Sequence, residues 1–431
     1  MRSWPRPDIP ALPGSGSTPL LHDDASGRFL AARPIDGRLS LYVCGITPYD
    51  ATHIGHASTY LAFDTLVRLW LDAGHEVAYT QNVTDVDDPL LERAAATGVD
   101  WRELAESQVE LFRTDMEALR VTPPTDYVGV TESIEPIAAA VEQLRERGIA
   151  YAVSTPDARV AGATDWYFDI AAAEAATPWV LGSESGLDRA TMEVLFRTRG
   201  GDPERPGKRD PLDPLLWRAE RAGEPAWDSV VGRGRPGWHI ECSVIARETL
   251  GDTIDVQGGG GDLVFPHHEF SAAHATALTG ERFARVNAHG GLVAFDGEKM
   301  SKSLGNLVLV SQLRAAGVEP AAVRLAILAH PYRDDWEWLR GDEEKATGRL
   351  AVWREAAARG RDDLDARLID APGTGDDDAS ALLDRVRSRL HDDLDTPGAL
   401  EIVDAWFEHP HSPASTALAL DVIDALLGIR L

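Results

Sequence analysis

Leu39-Ser40-Leu41-Tyr42-Val43 runs directly into Cys44-Gly45-Ile46-Thr47-Pro48-Tyr49-Asp50-Ala51-Thr52-His53-Ile54-Gly55-His56. The first five residues are a short apolar run and read as a buried strand. The Gly-, Pro- and His-containing stretch after them reads as a turn. Phe63, Leu66, Val67 and Trp70 then recur at helical spacing, and Gly74 follows where a helix C-terminus favours glycine. Glu76–Val83 returns to a strand pattern. Strand, turn, helix and strand form the βαβ unit of a parallel sheet, so the predicted fold class is α/β with a Rossmann-like sheet. The turn after the first strand then lies at the carboxyl end of the sheet, where ligands bind.

Working outward, residues 1–38 are rich in Pro, Gly and Asp and read as a loosely structured N-terminal extension. Residues 39–150 are expected to form the first half of the Rossmann-like domain. Ile134, Ile137, Ala138, Val141 and Leu144 mark a further amphipathic helix there, ended by Gly148. Residues 151–225 mix Pro- and Gly-rich loops with short strand signals near 149–153 and 166–170, and read as an insertion. Residues 226–335 are the second half, with sheet-like patterning from Trp238 to about residue 329. From Trp336 to 431 the pattern is helical and acidic, predicting a bundle. Residues 361–378 carry seven Asp against two Arg and read as a solvated loop.

The 431 residues hold 42 basic and 70 acidic side chains, a formal charge of −28. That balance argues against a generic nucleic-acid binder, which needs a basic face. No apolar run approaches the roughly 20 residues of a membrane span. The first residues lack the apolar core of a signal peptide, so a cytoplasmic location is expected. The two cysteines, Cys44 and Cys242, cannot make a disulfide framework. On their own they read as buried small hydrophobes, as a lone disulfide, or as metal ligands.

Three stretches carry candidate chemistry. In Thr52-His53-Ile54-Gly55-His56, Gly55 permits close backbone approach, two imidazoles can donate to phosphate oxygens, and the helix N-terminus adds a positive dipole. Lys299-Met300-Ser301-Lys302-Ser303 lies between Gly297 and Gly305 and holds two of only four lysines in the chain. Lysines on such a loop fit a clamp that closes on a polyphosphate. Gly258 to Gly261 allows a ligand close to the backbone. By contrast, Gly232-Arg233-Gly234-Arg235-Pro236-Gly237 matches the dinucleotide-binding spacing, yet no clear strand precedes it and Pro236 interrupts it.

The first two motifs, in this order, resemble the signature pair of class I aminoacyl-tRNA synthetases. Tyr42-Val43-Cys44-Gly45, Asn82-Val83-Thr84-Asp85-Val86-Asp87-Asp88, Trp238-His239-Ile240-Glu241-Cys242-Ser243, Phe265-Pro266-His267-His268-Glu269 and Lys299 through Asn306 are similar to the cysteinyl-tRNA synthetase blocks. Thr47 through His53, Phe270-Ser271-Ala272-Ala273-His274 and Arg199-Gly200-Gly201-Asp202-Pro203 resemble the related ligases of the mycothiol pathway, which join cysteine to glucosaminyl-inositol. The family's tRNA-charging members have a longer tail with an anticodon-binding domain. Here the segment after Ser303 is shorter and acidic, with no basic cluster for RNA.

The resemblance implies a class I synthetase sheet, split by the insertion and followed by the helical bundle. It implies an ATP-dependent, AMP-forming ligase acting through a cysteinyl-adenylate, the alternative being a cysteinyl-tRNA synthetase with a shortened C-terminal region. Cys44, Cys242 and His267 would hold one zinc per chain, the chemistry thiolate and imidazole favour. The family's further carboxylate ligand falls at Ser271 here, a poor ligand, and His268 and Glu269 are expected around the ligands rather than among them. His53, His56, Lys299 and Lys302 would stabilise charge on the phosphates. Cys44, Gly45, Ile46, Thr47, Thr59, Asn82, Val83, Thr84, Trp238, Gly260, Gly261, Asp262 and Val293 would line the substrate and adenylate pocket. Expected partners are L-cysteine, ATP with Mg2+, and glucosaminyl-inositol, with no nucleic acid, no membrane, and a monomeric chain.

Overall fold

The computed structural model describes residues 1–34, 37–300, 305–362 and 376–431. Leu20–Asp23 (β1) and Arg28–Ala31 (β2) pair as an antiparallel hairpin. Arg38–Val43 (β3), Ile54–Asp72 (α1), Glu76–Val83 (β4), Asp88–Thr97 (α2), Trp101–Ala118 (α3), Asp126–Gly129 (β5) and Ile134–Glu146 (α4) follow. The inserted region brings Ala150–Ser154 (β6), Thr164–Phe168 (β7), Ile170–Ala176 (α5), Arg189–Thr198 (α6), Leu215–Ala219 (β8) and Gly234–Pro236 (β9). Trp238–Leu250 (α7), Ile254–Gly260 (β10), Glu269–Thr279 (α8) and Ala284–Gly290 (β11) return to the main sheet. Val293–Phe295 (β12), Glu298–Lys299 (β13), Val310–Ala315 (α9), Pro320–Leu328 (α10) and Trp336–Trp338 (β14) lead to four helices. These are Asp342–Asp362 (α11), Asp376–His391 (α12), Thr396–Phe407 (α13) and Pro413–Leu427 (α14).

The main sheet runs β11-β10-β3-β4-β5, every pair parallel. β3 is buried beyond its first residue, as expected of a strand covered on both faces. Strand order reverses at β3, which has β4 on one side and β10 on the other. The crevice between the carboxyl ends of β3 and β10 is therefore the place where such a sheet binds ligands. α1 caps that crevice and is buried nearly all round, sealed between the sheet and α10 and α14. Gly74 takes the left-handed conformation (φ 81°) just past its end, as the sequence predicts.

Several expectations need correction. The N-terminal extension is not loose over residues 1–34: Trp4, Leu21 and Ala32 are buried. The Trp4 indole donates to the Val121 carbonyl at 2.7 Å and lies edge-on to Phe112 and Tyr127. These anchors enter singly, so they leave no period to read. Trp238 opens a helix, not a strand, because a short apolar run fits a buried helix as well as a buried strand. Trp336–Trp338 is a strand paired with β12, and the helices begin only at Asp342. The inserted antiparallel sheet, β6-β7-β8-β9, extends beyond residue 225 to Pro236. Most of the acidic stretch 361–378 lies outside the described residues. Gly234 lies in β9, an antiparallel strand, and Gly237 is the N-cap of the helix after it. A helix does start after Gly237, but it carries Cys242 rather than a dinucleotide site.

Candidate active site and metal centre

Cys44 is the first residue beyond β3, and its N–H donates to the Gly258 carbonyl of β10 at 3.1 Å. It thus sits in the crevice where the strand order reverses. The next residue, Gly45, is pressed against β4: a Cβ there would lie 1.6 Å from the Asn82 carbonyl oxygen. The Asn82 side chain holds this turn, its Oδ1 accepting from the Gly45 N–H (2.8 Å) and the Tyr42 hydroxyl (3.0 Å). Its Nδ2 donates to Thr84 Oγ1 at 3.1 Å, and the Thr84 N–H donates to Ile46 at 3.0 Å. Val83 is fully buried in the core. Asn82, Val83 and Thr84 therefore shape the loop from Cys44 to Thr47, with the polar atoms of Asn82 turned to the protein itself.

Cys242 comes from the second turn of α7 and His267 from the segment just before α8. The two thiols are unlinked, with Sγ atoms 3.8 Å apart, and His267 Nε2 lies 3.1 Å from Cys242 Sγ. The three donor atoms lie within 4.8 Å of one another and all three residues are buried. Two metal–sulfur bonds of about 2.3 Å at a tetrahedral angle span about 3.8 Å, so the donor set fits zinc. Ser271 lies outside the group: its hydroxyl donates to the His239 carbonyl at 3.1 Å. Glu269 accepts from Trp179 Nε1 and from the Gly182 and Ser185 N–H groups, which ties the inserted region to α8.

Histidines surround the three ligands. His239 Nδ1 lies 3.2 Å from His267 Nδ1. For His267 to offer Nε2 to a metal, its Nδ1 keeps the proton and donates to His239. Burial holds His239 and His268 well below the usual imidazole range, helped by neighbouring histidines, and brings His274 down to about 3. These rings are neutral at neutral pH and place no cationic charge beside a metal. Burial pushes the Cys44 thiol up. It also opposes ionisation of Cys242, but hydrogen bonds with Cys44 and His267 outweigh it and bring that thiol well down. The Trp238 indole stacks on His267, 4.1 Å between centroids at 21°.

The Thr52–His56 motif lies at the start of α1. His53 is its N-cap and accepts from the His56 N–H at 3.4 Å, and the two imidazoles stack at 3.8 Å. The Ile54 N–H donates to Val308 and the Val310 N–H to Thr52, so the motif is stitched to the chain just after the lysine segment. Val293 packs beside it, its Cβ 3.9 Å from where a Cβ on Gly55 would stand. Thr59 Oγ1 donates to the Gly55 carbonyl at 3.3 Å and lies near Gly260 and Gly290, at the carboxyl ends of β10 and β11. The Gly261 N–H donates to Gly290 and the Leu263 N–H to Gly260, forming the turn that presents Asp262. Lys299 pairs through its backbone with Ala294. Lys302 lies outside the described residues.

A family model described as the tRNA synthetases class I (C) catalytic domain matches residues 32–347. The chain belongs to this family. A Clavibacter michiganensis protein named L-cysteine:1D-myo-inositol 2-amino-2-deoxy-alpha-D-glucopyranoside ligase is 62% identical over 100% of this chain and 99% of its own. A protein of the same name from Thermobispora bispora is 54% identical over the full length of both chains. Among solved structures, Mycobacterium tuberculosis methionyl-tRNA synthetase with methionyl-adenylate aligns at a TM-score of 0.61 and 17% identity, covering 90% of this chain and 89% of that one. An Agrobacterium radiobacter leucyl-tRNA synthetase aligns at 0.59 and 12%, covering 92% and 84%. At these identities the two structures speak for the fold, a parallel α/β sheet followed by helices.

Within this class I synthetase catalytic domain, sequence reading missed two contributors to the site. His289, on β11, contacts His268, and Asp24, on the N-terminal hairpin, contacts His289. His289 stands in a strand with no motif around it. Asp24 stands in a polar turn like many others. No local signal marked either residue.

Proposed function

We propose that the chain joins L-cysteine to the amine of glucosaminyl-inositol through a cysteinyl-adenylate. The observation that carries this reading is the buried Cys44–Cys242–His267 donor set at the reversal of strand order. Relatives matched along their whole length and named as this ligase support it. Bound there, zinc would supply a Lewis-acid contact that a substrate thiolate fills well and a hydroxyl poorly, which selects cysteine over serine. The rest of the substrate then extends along the carboxyl ends of β3 and β10 toward the start of α1.

In the first half-reaction the cysteine carboxylate oxygen forms a bond to the α-phosphorus of ATP, and the bond to pyrophosphate breaks. His53, His56 and the α1 N-terminus would receive the negative charge on the phosphates, with Mg2+ carried by ATP. Lys299 and Lys302 would add cationic charge as pyrophosphate leaves. Thr59 and the Gly260-Gly261-Asp262 turn would bound the nucleotide, and Thr47 and Trp238 the cysteinyl moiety. In the second half-reaction the neutral amine attacks the activated carbonyl carbon. An amide forms, the bond to AMP breaks, and the amine's extra proton is released.

Among the described residues, no helix is long and apolar enough to cross a membrane. The reading also takes the chain to act on small molecules rather than tRNA, as a cytoplasmic monomer. A charge of −28 disfavours a polyanion and tolerates an amino-sugar. The test incubates the protein with ATP, Mg2+, zinc and cysteine at low salt, offering either glucosaminyl-inositol or tRNA. Amide formation with the amino-sugar and little tRNA charging is the expected result. Efficient charging of tRNA with an inert amino-sugar would overturn the reading.

A further inference from the structure

We propose that Asp24, on the N-terminal hairpin, is a positioning residue for the metal centre, acting on Cys44 through His289 and His268. His289 Nδ1 lies 2.5 Å from Asp24 Oδ2, His268 Nδ1 lies 2.6 Å from His289 Nε2, and Cys44 Sγ lies 3.1 Å from His268 Nε2. The other Asp24 oxygen is 3.0 Å from His22 Nδ1. His268 and His289 are buried, so neither ring has solvent to compensate a lost partner. A carboxylate only accepts, so His289 Nδ1 carries a proton, and Asp24 holds the His289 ring from the hairpin end.

The hairpin is itself held in register with β11. The Asp24 N–H donates to the Asn287 carbonyl at 2.9 Å, and the Asn287 N–H donates to Asp23 Oδ1 at 2.8 Å. Asp24 is thus anchored two residues from His289 along the same strand. On the far side, β10 closes the row: a Cβ on Gly259 would lie 2.7 Å from His268 Cε1. The His268 ring is confined between Gly259, His289 and Cys44, and the row leads from it through His289 to Asp24 on the hairpin. Groups that orient metal ligands without touching the metal typically change metal affinity by about 10–100-fold when removed.

The inference rests on zinc occupying the Cys44–Cys242–His267 site. The experiment loads full-length wild type, Asp24→Ala and Asp24→Asn with zinc and follows its release to a chromophoric chelator at one pH. KM values for cysteine and ATP in pyrophosphate exchange are measured alongside. Asp24→Ala should release zinc about 10–100-fold faster. It should raise the KM for cysteine and leave that for ATP unchanged. Asp24→Asn still offers an oxygen to His289 and should release zinc close to the wild-type rate. An unchanged rate in Asp24→Ala, or an equally fast one in Asp24→Asn, overturns the positioning role while leaving the zinc reading intact. A wild-type chain that takes up no zinc overturns both.

Discussion

Cys242 shows how much one side chain decides. It touches both other candidate ligands, Cys44 at 3.8 Å and His267 at 3.1 Å, from a fully buried position. Serine in its place offers a hydroxyl, a poor ligand for zinc, in nearly the same volume. Cys242→Ser should therefore lose most of about one zinc per chain while keeping the fold, measured by metal analysis beside circular dichroism. Full zinc content in that variant would remove Cys242 from the centre. The cysteines were legible in the sequence because each stands inside a recognisable block. Their meeting was implied by the family resemblance alone: 198 residues separate them, and no local period or spacing brings them together.

At the scale of the element, α1 is the hub. Its Asp64 and Arg68 are buried, with Arg68 Nε 2.7 Å from Asp64 Oδ2, and Arg324 of α10 pairs with the same carboxylate. Arg68 also donates to the Asp424 carbonyl and Arg324 to the Leu427 carbonyl, tying α14 to α1. Burial pushes Asp64 up, but Arg68 and Arg324 outweigh it and bring it down to about 2. Asp64→Asn would leave two arginines buried without a counter-charge, and should cost roughly 3–5 kcal/mol in denaturant unfolding. The sign with pH follows from the lowered value. Asp64 stabilises the native state above its unfolded range near 4, and the contribution fades as pH falls toward about 2. The Asn variant should lack that part of the acid transition. The apolar stripe of α1 was visible in the sequence. Its second, polar seam was not, because Asp64 and Arg68 look like an ordinary exposed pair four residues apart.

For the whole molecule, the proposed metal centre joins both halves of the split sheet: Cys44 follows β3, Cys242 lies on α7, and His267 precedes α8. A ligand bound only by the native state adds stability by mass action, about 2.7 kcal/mol when present at 100 times its Kd. Removing zinc with a chelator should lower the thermal midpoint, and restoring it should recover the midpoint. Cys242→Ser should show little shift in either direction. Calorimetry with and without chelator checks all three. A wild-type midpoint indifferent to zinc would show that the metal does not tie the halves together.

The sequence by itself determined the parallel sheet, its first βαβ unit and the position of the turn from Cys44 to His56 at the carboxyl end of β3. It also determined which residue types were present to hold a metal. Apolar period and glycine placement are local, and local signals survive in one dimension. Only the tertiary structure decided the rest. Whether Trp238 opens a strand or a helix, whether Trp336 begins a helix or a strand, and whether residues 1–38 are loose all depended on what those residues pack against. The row from Asp24 through His289 and His268 to Cys44 depended on the fold most of all. It crosses four separate chain segments, and hydrogen bonds between distant segments form only when the backbone has already brought them to within about 3 Å.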